Sequence, residues 1–374
     1  MRIGVNTRFL LPTKMEGFGW YTYEIAKRLV ENHPEHEFYF FFDRPYDQKF
    51  IFGDNVTPVI LGPQARHPIL FKIWFNRSVT KALKKYDIDV FFSPDGYLSL
   101  KTDIPQIGVI HDLNFEHHPE DIPKAARKYL RSYFPKFAEK ATHIITVSDY
   151  SKQDIIKTYG VEPSKVSAFW NGVSEHFQPI SNEAQSETRS KFSGGNEFFL
   201  FVGALHPRKN IKRLVEAYQR YLDGNPDAQE DLVIVGTLLW KQLKESMDVP
   251  ESLQHRVHFV GHASRDELAA IMASAKVFTF VPYFEGFGIP LLEAMQSGTP
   301  VLSGNLTSLP EVGGDAVVYC NPMDVNEISI KLGELSNNEA LRAELSAKGI
   351  DRSKQFSWNK AAEGVWSVLE KFNS

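Results

Sequence analysis

The sequence predicts an α/β protein made of two doubly wound parallel-sheet domains, and three observations lead there. Short apolar runs rich in Val, Ile and Phe alternate along the chain with helical patterns of roughly 10–15 residues, as in parallel sheets buried on both faces. The runs fall into two series, separated by the polar, aperiodic segment FQPISNEAQSETRSKFSGGNE at 177–197, which reads as a linker. At 374 residues the chain also exceeds one ordinary domain of about 150.

The first series contains RIGVNT (2–7), EFYFFF (37–42), DVFFS (89–93), QIGVI (106–110) and HIITV (143–147). The second contains FFLFV (198–202), DLVIV (231–235), RVHFV (256–260), VFTFV (277–281) and PVLS (300–303). Asn210 suits the N-cap of an amphipathic helix, IKRLVEAYQRY. A second helix opens at Pro290 and stops at Gly298. The closing pattern at 356–372 is an amphipathic helix with Ala361, Val365, Val368 and Leu369 near one face. No repeat is visible.

Composition excludes several classes. The chain is 43% apolar and 24% charged, with no run near the ~18–20 apolar residues of a membrane span. The N-terminus reads as a first strand without a signal-peptide apolar region, and Cys320 is alone, which excludes a disulfide framework or a cysteine-based metal site. A cytoplasmic location is expected. Residues 1–180 carry 23 Lys and Arg against 21 Asp and Glu, and the remainder 19 against 25. That balance rules out a general polyanion binder, and no nucleic-acid partner is expected.

In open parallel sheets ligands bind at the carboxyl ends of strands, and the candidate residues follow strands. Gly203-Ala-Leu-His-Pro-Arg208-Lys209-Asn210 comes after FFLFV. Two cations at a helix start oppose the macrodipole by ~0.3–1 kcal/mol each, so an anion between them would make sense of them. The plainer reading is a solvated surface pair. After VFTFV stands EGFGIPLLEA, with Glu285, Gly286, Gly288 and Glu293. The glycines allow close backbone approach, and two carboxylates accepting pairs of hydroxyl hydrogen bonds suit a polyol. Glu293 read alone is equally a first-turn acid stabilising its helix.

GALHPRKN followed by EGFGIPLLEAMQSGTPVLSGNLTSLPEVGGDAVVY closely resembles the retaining GT-B glycosyltransferases of the group-1, family-four type. The likeness extends to Gly17-Phe-Gly19, His111-Asp112, ITVSDYSK (145–152), Asn171-Gly172-Val173 and the closing FSW. It implies two Rossmann-like domains facing across a cleft: 1–177 with 358–374 on the acceptor side, and 178–357 binding the nucleotide sugar. In the family's pattern Arg208 and Lys209 bind the donor diphosphate, and Glu285 contacts hydroxyls of the transferred sugar. The amides of Phe287 and Gly288 lie nearby, Glu293 holds the ribose, His111 faces the sugar, and Gly17 and Gly19 lie near the diphosphate with Gly203. Ala204 departs from the pattern by standing where many relatives place an Arg, and Arg208 is the substitute.

The resemblance implies hexosyl transfer with retention, the nucleotide sugar being substrate and no cofactor or metal being required. GDP-mannose is the first donor expected, ahead of UDP-glucose and UDP-N-acetylglucosamine. The acceptor would be a saccharide or lipid-linked saccharide of surface polysaccharide assembly. A nucleotide-sugar epimerase or hydrolase, and an inactive relative serving as a binding partner, are the alternatives. Asp112 as a nucleophile competes with a loop-capping role. Asp87-Ile-Asp89 resembles a metal motif but reads as structural, and HPEHE (33–37) and EHHPE (116–120) read as surface loops. Two basic aromatic helices, at 67–85 and 124–136, leave peripheral contact with an anionic membrane open; the competing reading buries their aromatics.

Overall fold

The computed structural model describes residues 1–12, 15–237 and 249–373. These divide into two compact units, 1–172 with 357–374, and 173–356. Each has its own sheet.

In the first unit the elements run β1 (Arg2–Asn6), α1 (Gly17–Asn32), β2 (Glu37–Phe42), β3 (Val56–Ile60), α2 (Pro68–Ile73) and α3 (Thr80–Lys85). There follow β4 (Val90–Ser93), β5 (Gln106–Val109), α4 (Asn114–His117), α5 (Lys124–Lys140), β6 (His143–Thr146), α6 (Asp149–Tyr159) and β7 (Val166–Ala168). The strands pair in parallel in the order β3-β2-β1-β4-β5-β6-β7. Val5 pairs with Phe40 on one side and Phe92 on the other, and all three are fully buried.

The second unit contains α7 (Asn182–Ser193), β8 (Phe198–Val202), α8 (Ile211–Gly224), β9 (Asp231–Val235), β10 (Val257–Gly261) and α9 (Arg265–Ser274). It continues with β11 (Val277–Phe280), α10 (Ile289–Gln296), β12 (Val301–Gly304), α11 (Leu309–Gly313), β13 (Val318–Cys320), α12 (Val325–Asn337) and α13 (Glu339–Ser353). Its parallel order is β10-β9-β8-β11-β12-β13. The last helix, α14 (Trp358–Leu369), belongs to the first unit and packs on α1. In both sheets the strand order reverses beside the first strand of the series, between β1 and β4 and between β8 and β11. Those are the switch points where such sheets bind ligands.

Four expectations need correction or resolution. The segment at 177–197 is no plain linker, because it holds α7. Ser181 caps that helix by accepting from the Ala184 amide, Gly194 ends it in the left-handed conformation, and Arg189 ties it to the Ser274 carbonyl at 3.2 Å. Good caps outweighed the missing apolar periodicity. The His-rich strings lie at the surface, with Pro34, Glu35, Glu37 and His117 exposed, but their histidines are anchored: His33 stacks on Trp366 at 3.5 Å, His36 is buried, and His117 ends α4 beside Asp154 at 2.8 Å. At 67–85, Trp74 and Phe75 are core residues, and a π-helical turn at Trp74–Val79 turns both inward. Asp89 accepts from the Arg2 amide and Asp87 pairs with the Arg2 guanidinium, so these acids fasten the start of β1. Among the described residues no helix is long and apolar enough to cross a membrane, and no group of His, Cys, Asp and Glu is arranged to hold a metal.

Candidate active site

The second unit's switch point holds two cations against one carboxylate. Beyond β8 the chain passes Gly203 and forms a short 3-10 turn, Pro207–Lys209, which presents Arg208 and Lys209. Beyond β11 it reaches Glu285. The Lys209 Nζ lies 2.5 Å and the Arg208 Nη1 2.9 Å from the Glu285 Oε1. Arg208 Nη1 also donates to the Phe284 carbonyl at 3.0 Å, and the Lys209 ammonium sits over the Phe280 ring at 4.9 Å. Glu285 and Lys209 are buried, whereas Arg208 is partly exposed. Burial by itself would raise the Glu285 carboxyl; the two cations outweigh it and hold the group below its ordinary range. Ser308 donates to the Glu285 carbonyl and the Glu285 amide donates to Thr307, so its backbone is fixed as well.

Asn210 does not cap α8 with its side chain, contrary to expectation. It takes a left-handed conformation (φ 63°), and its Nδ2 donates to the carbonyls of Val281 and Pro322 at 2.9 and 2.6 Å. It therefore bridges the loops after β8 and β11 and keeps the two cations beside Glu285.

The turn into α10 is made by Gly288, with φ 100°. A Cβ there would come within 2.8 Å of Leu309 Cδ2, so only glycine fits. Phe287 is buried against Phe356, ring centroids 5.9 Å apart, and Pro290 stands in the first turn. Gly298 ends the helix with φ 73°. Glu293 is the fifth residue of α10, beyond the first turn, which removes the simple dipole role. Burial pushes its carboxyl up to about 7, against the opposing charge of Arg265.

In the first unit, His111 follows β5. Its Nε2 donates to the Pro94 carbonyl at 2.7 Å, and its ring meets Phe18 and Tyr21 edge to face at 4.8 and 4.7 Å. A carbonyl only accepts, so Nε2 carries the proton. Burial lowers the imidazole pKa, partly offset by the Pro94 bond and by Asp112 and Asp95, and the neutral ring keeps its Nδ1 as an acceptor. Asp112 accepts from the Asn114 amide at 2.9 Å, the loop-capping role. Gly17 opens α1, and Gly19 packs so closely that a Cβ would lie 2.7 Å from the Phe9 carbonyl.

Two features escape a reading by motif. His206 accepts from the Arg208 amide at 3.2 Å and shapes the cation turn; burial, then Arg208 and Lys209, push it down to about 4. Its place before Pro207 was the available signal. The other is a buried ion pair at the first unit's own switch point. Arg8, beyond β1, meets Asp95, beyond β4, at 2.6 Å, and Asp95 also accepts from Ser93 and the Tyr97 amide. The rings of Phe9, Phe71, Phe75 and Tyr97 surround the Arg8 guanidinium at 4.4–5.5 Å. Arg8 and Asp95 lie 87 residues apart, so no local pattern announces them.

A family model described as glycosyl transferases group 1 matches residues 183–352, and one described as glycosyltransferase family 4 matches 15–177. The chain is similar to the O-antigen chain mannosyltransferase B of Escherichia coli, 28% identical over 92% of this chain and 93% of that one. Among solved structures it resembles sucrose-phosphate synthase from Thermosynechococcus elongatus, with a TM-score of 0.81 at 18% identity over 99% and 98% of the two chains. It also resembles Anabaena HepE in complex with UDP-glucose, with a TM-score of 0.77 at 17% identity over 99% and 100%.

Proposed function

Because the chain belongs to the group-1, family-four glycosyltransferases, we propose that it moves a hexose from a nucleoside diphosphate sugar to a saccharide or lipid-linked acceptor, with retention of configuration. One observation carries the reading. At the second unit's switch point two cations and a carboxylate are held together, and a sugar diphosphate satisfies both kinds of charge. The diphosphate takes the N–H groups of Arg208 and Lys209, and the sugar hydroxyls donate to Glu285. Glu293 accepts from the ribose hydroxyls. The amides near Phe287 and Gly288, with Gly203, line the donor's path in this reading.

In the step itself the bond from the anomeric carbon to the diphosphate oxygen breaks, and its electron pair leaves with the diphosphate. The acceptor hydroxyl attacks from the same face, and its proton passes to a departing phosphate oxygen. Negative charge grows on the diphosphate, where Arg208 and Lys209 are already fixed in place. They supply the counter-charge, so this reading needs no metal and no cofactor.

Mannose is the first sugar in this reading, supported by the name of the Escherichia coli relative, with GDP-mannose the donor proposed and surface polysaccharide the product class. Contact with an anionic membrane would be largely electrostatic, since Trp74, Phe75, Tyr129 and Phe134 are core residues and Ile69 is the exposed large apolar side chain of the segments at 67–85 and 124–136. A thermal-shift titration with GDP, UDP, ADP and their sugar conjugates tests the donor. Ligand at about 100 times its Kd should add about 2.7 kcal/mol of stability. A selective response to GDP and GDP-mannose supports the proposal, selectivity for UDP sugars replaces the donor, and no response to any removes the donor site.

A further inference from the structure

A second cluster of cations lies in the first unit, away from its switch-point residues. Between α5 and α6 runs a groove of about 590 Å³, lined by Arg127, Lys128, Arg131 and Ser132 from α5, with Glu116 and Tyr159. Arg127 and Arg131 stand one helical turn apart, where like charges destabilise a helix by about 0.2–0.5 kcal/mol. Lys128 stands beside them and forms no ion pair among the described residues.

Both guanidiniums are anchored. Arg127 donates through Nη1 to the Pro119 carbonyl at 3.2 Å, and Arg131 donates through Nε to the Glu116 Oε2 at 2.9 Å. Each keeps further N–H groups for a ligand. Glu116 is occupied on both oxygens, because the Tyr159 hydroxyl donates to its Oε1 at 3.2 Å. The Ser132 hydroxyl gives its proton to the Lys128 carbonyl at 2.6 Å. The donors left to the groove are therefore N–H groups of cations, three positive charges against one paired carboxylate. Planar guanidinium forks held in place match the oxygens of phosphate.

We propose that this groove is a second anion site, taking the phosphate or diphosphate group of a ligand distinct from the sugar donor. The phosphate could belong to a soluble phosphorylated compound or to a phospholipid headgroup. The binding chemistry is the same for both, and the sources separate by experiment.

The test uses the full chain and inorganic pyrophosphate, followed by calorimetric titration. The donor site described above would also take pyrophosphate, so the titration is run in wild type and in Lys209→Met. The expected result is that Lys209→Met retains one pyrophosphate site. Adding Arg131→Gln should weaken that site roughly 10- to 100-fold, the worth of a charge-assisted hydrogen bond. Lys128→Gln, whose side chain has no ion pair to lose, should weaken it several-fold with an unchanged circular dichroism spectrum. If Lys209→Met abolishes all pyrophosphate binding, the groove proposal is overturned and the donor reading stands. If binding survives Lys209→Met but ignores both groove substitutions, the proposal is overturned too. Cosedimentation with phosphatidylcholine vesicles, with and without phosphatidylglycerol, assigns the source. Binding that needs phosphatidylglycerol, Lys128 and Arg131 makes it a headgroup, and pyrophosphate binding without vesicle binding makes it a soluble phosphate.

Discussion

Glu285 is held by charge. Lys209 and Arg208 keep it ionised although it is buried, and they are themselves kept in place by it. Such a triad stores oriented donors at the point where a leaving group would gain charge, and it costs no reorganisation when that charge appears. Lys209→Ala should therefore lower kcat by roughly 10²–10³, while Glu285 keeps Arg208 as a partner and the fold survives. Activity within threefold of wild type in a steady-state transfer assay would remove Lys209 from the mechanism. Glu293 gives a pH dependence. Its carboxyl is raised from an ordinary 4.5 to about 7, so the folded protein holds a proton that the unfolded chain releases between those values. Its contribution to stability is thus highest in acid and declines as pH rises from 4.5 to about 7. If Glu293 accepts from the ribose hydroxyls as proposed, it does so in its ionised form, and donor binding must then expel that proton below pH 7. Affinity should fall as pH drops from about 7, by up to about tenfold per unit. Titration with an intact nucleotide sugar, whose diphosphate has no second ionisation in that range, checks this, and Glu293→Gln should flatten the curve. A slope unchanged in the variant would place the titration elsewhere.

Between elements, the two sheets solve one problem in two ways. Each joins the loops after its first and fourth strands with a cation–carboxylate contact. In the second unit the contact keeps Arg208 partly exposed to a ligand; in the first, Arg8 and Asp95 are buried and boxed by aromatic rings. Arg8→Met removes one charge and leaves Asp95 uncompensated, which should cost about 3–5 kcal/mol in urea unfolding. A loss below about 1 kcal/mol would mean that Asp95 finds water or takes up a proton. How far the elements could be read follows from their place in the sheets. Nine of the ten apolar runs form strands buried enough to need continuous apolar sequence, whereas the tenth forms β10, an edge strand with Phe259 exposed. The unread strands, β3, β7 and β13, are all edge strands, short or half exposed, and β3 carries Pro58, tolerable only at an edge. The cations and carboxylates of the second unit stand within short, recognisable strings. Arg8 with Asp95, and the tie from Asn210 to Val281 and Pro322, are pairings across long stretches of sequence, and no local pattern encodes them.

At the scale of the molecule, one strand order is used twice, and the first unit is discontinuous in sequence. The chain completes seven strands, builds the whole second unit, and only then returns α14 to lie on α1. The first unit thus has a gap in its core until the end of the chain is in place. The α14 face that fills it buries Trp358, Ala361, Ala362, Val365, Val368 and Leu369, while Trp366 stacks on His33. Burying each large apolar side chain is worth about 1.5–3 kcal/mol, so four of them approach the roughly 5–15 kcal/mol by which a domain is stable. Removing 357–374 should accordingly unfold the first unit, while the second, whose sheet and core lie within 173–356, keeps its structure. Hydrogen exchange reads the units separately. In the shortened chain the amides of β1, β4 and α1 should exchange at unfolded rates while those of β8, β9 and β11 stay protected. Retained protection in α1 would show that the first unit's core closes without its last helix. Loss of protection in β8 and β11 as well would show that the second unit depends on the first for its stability.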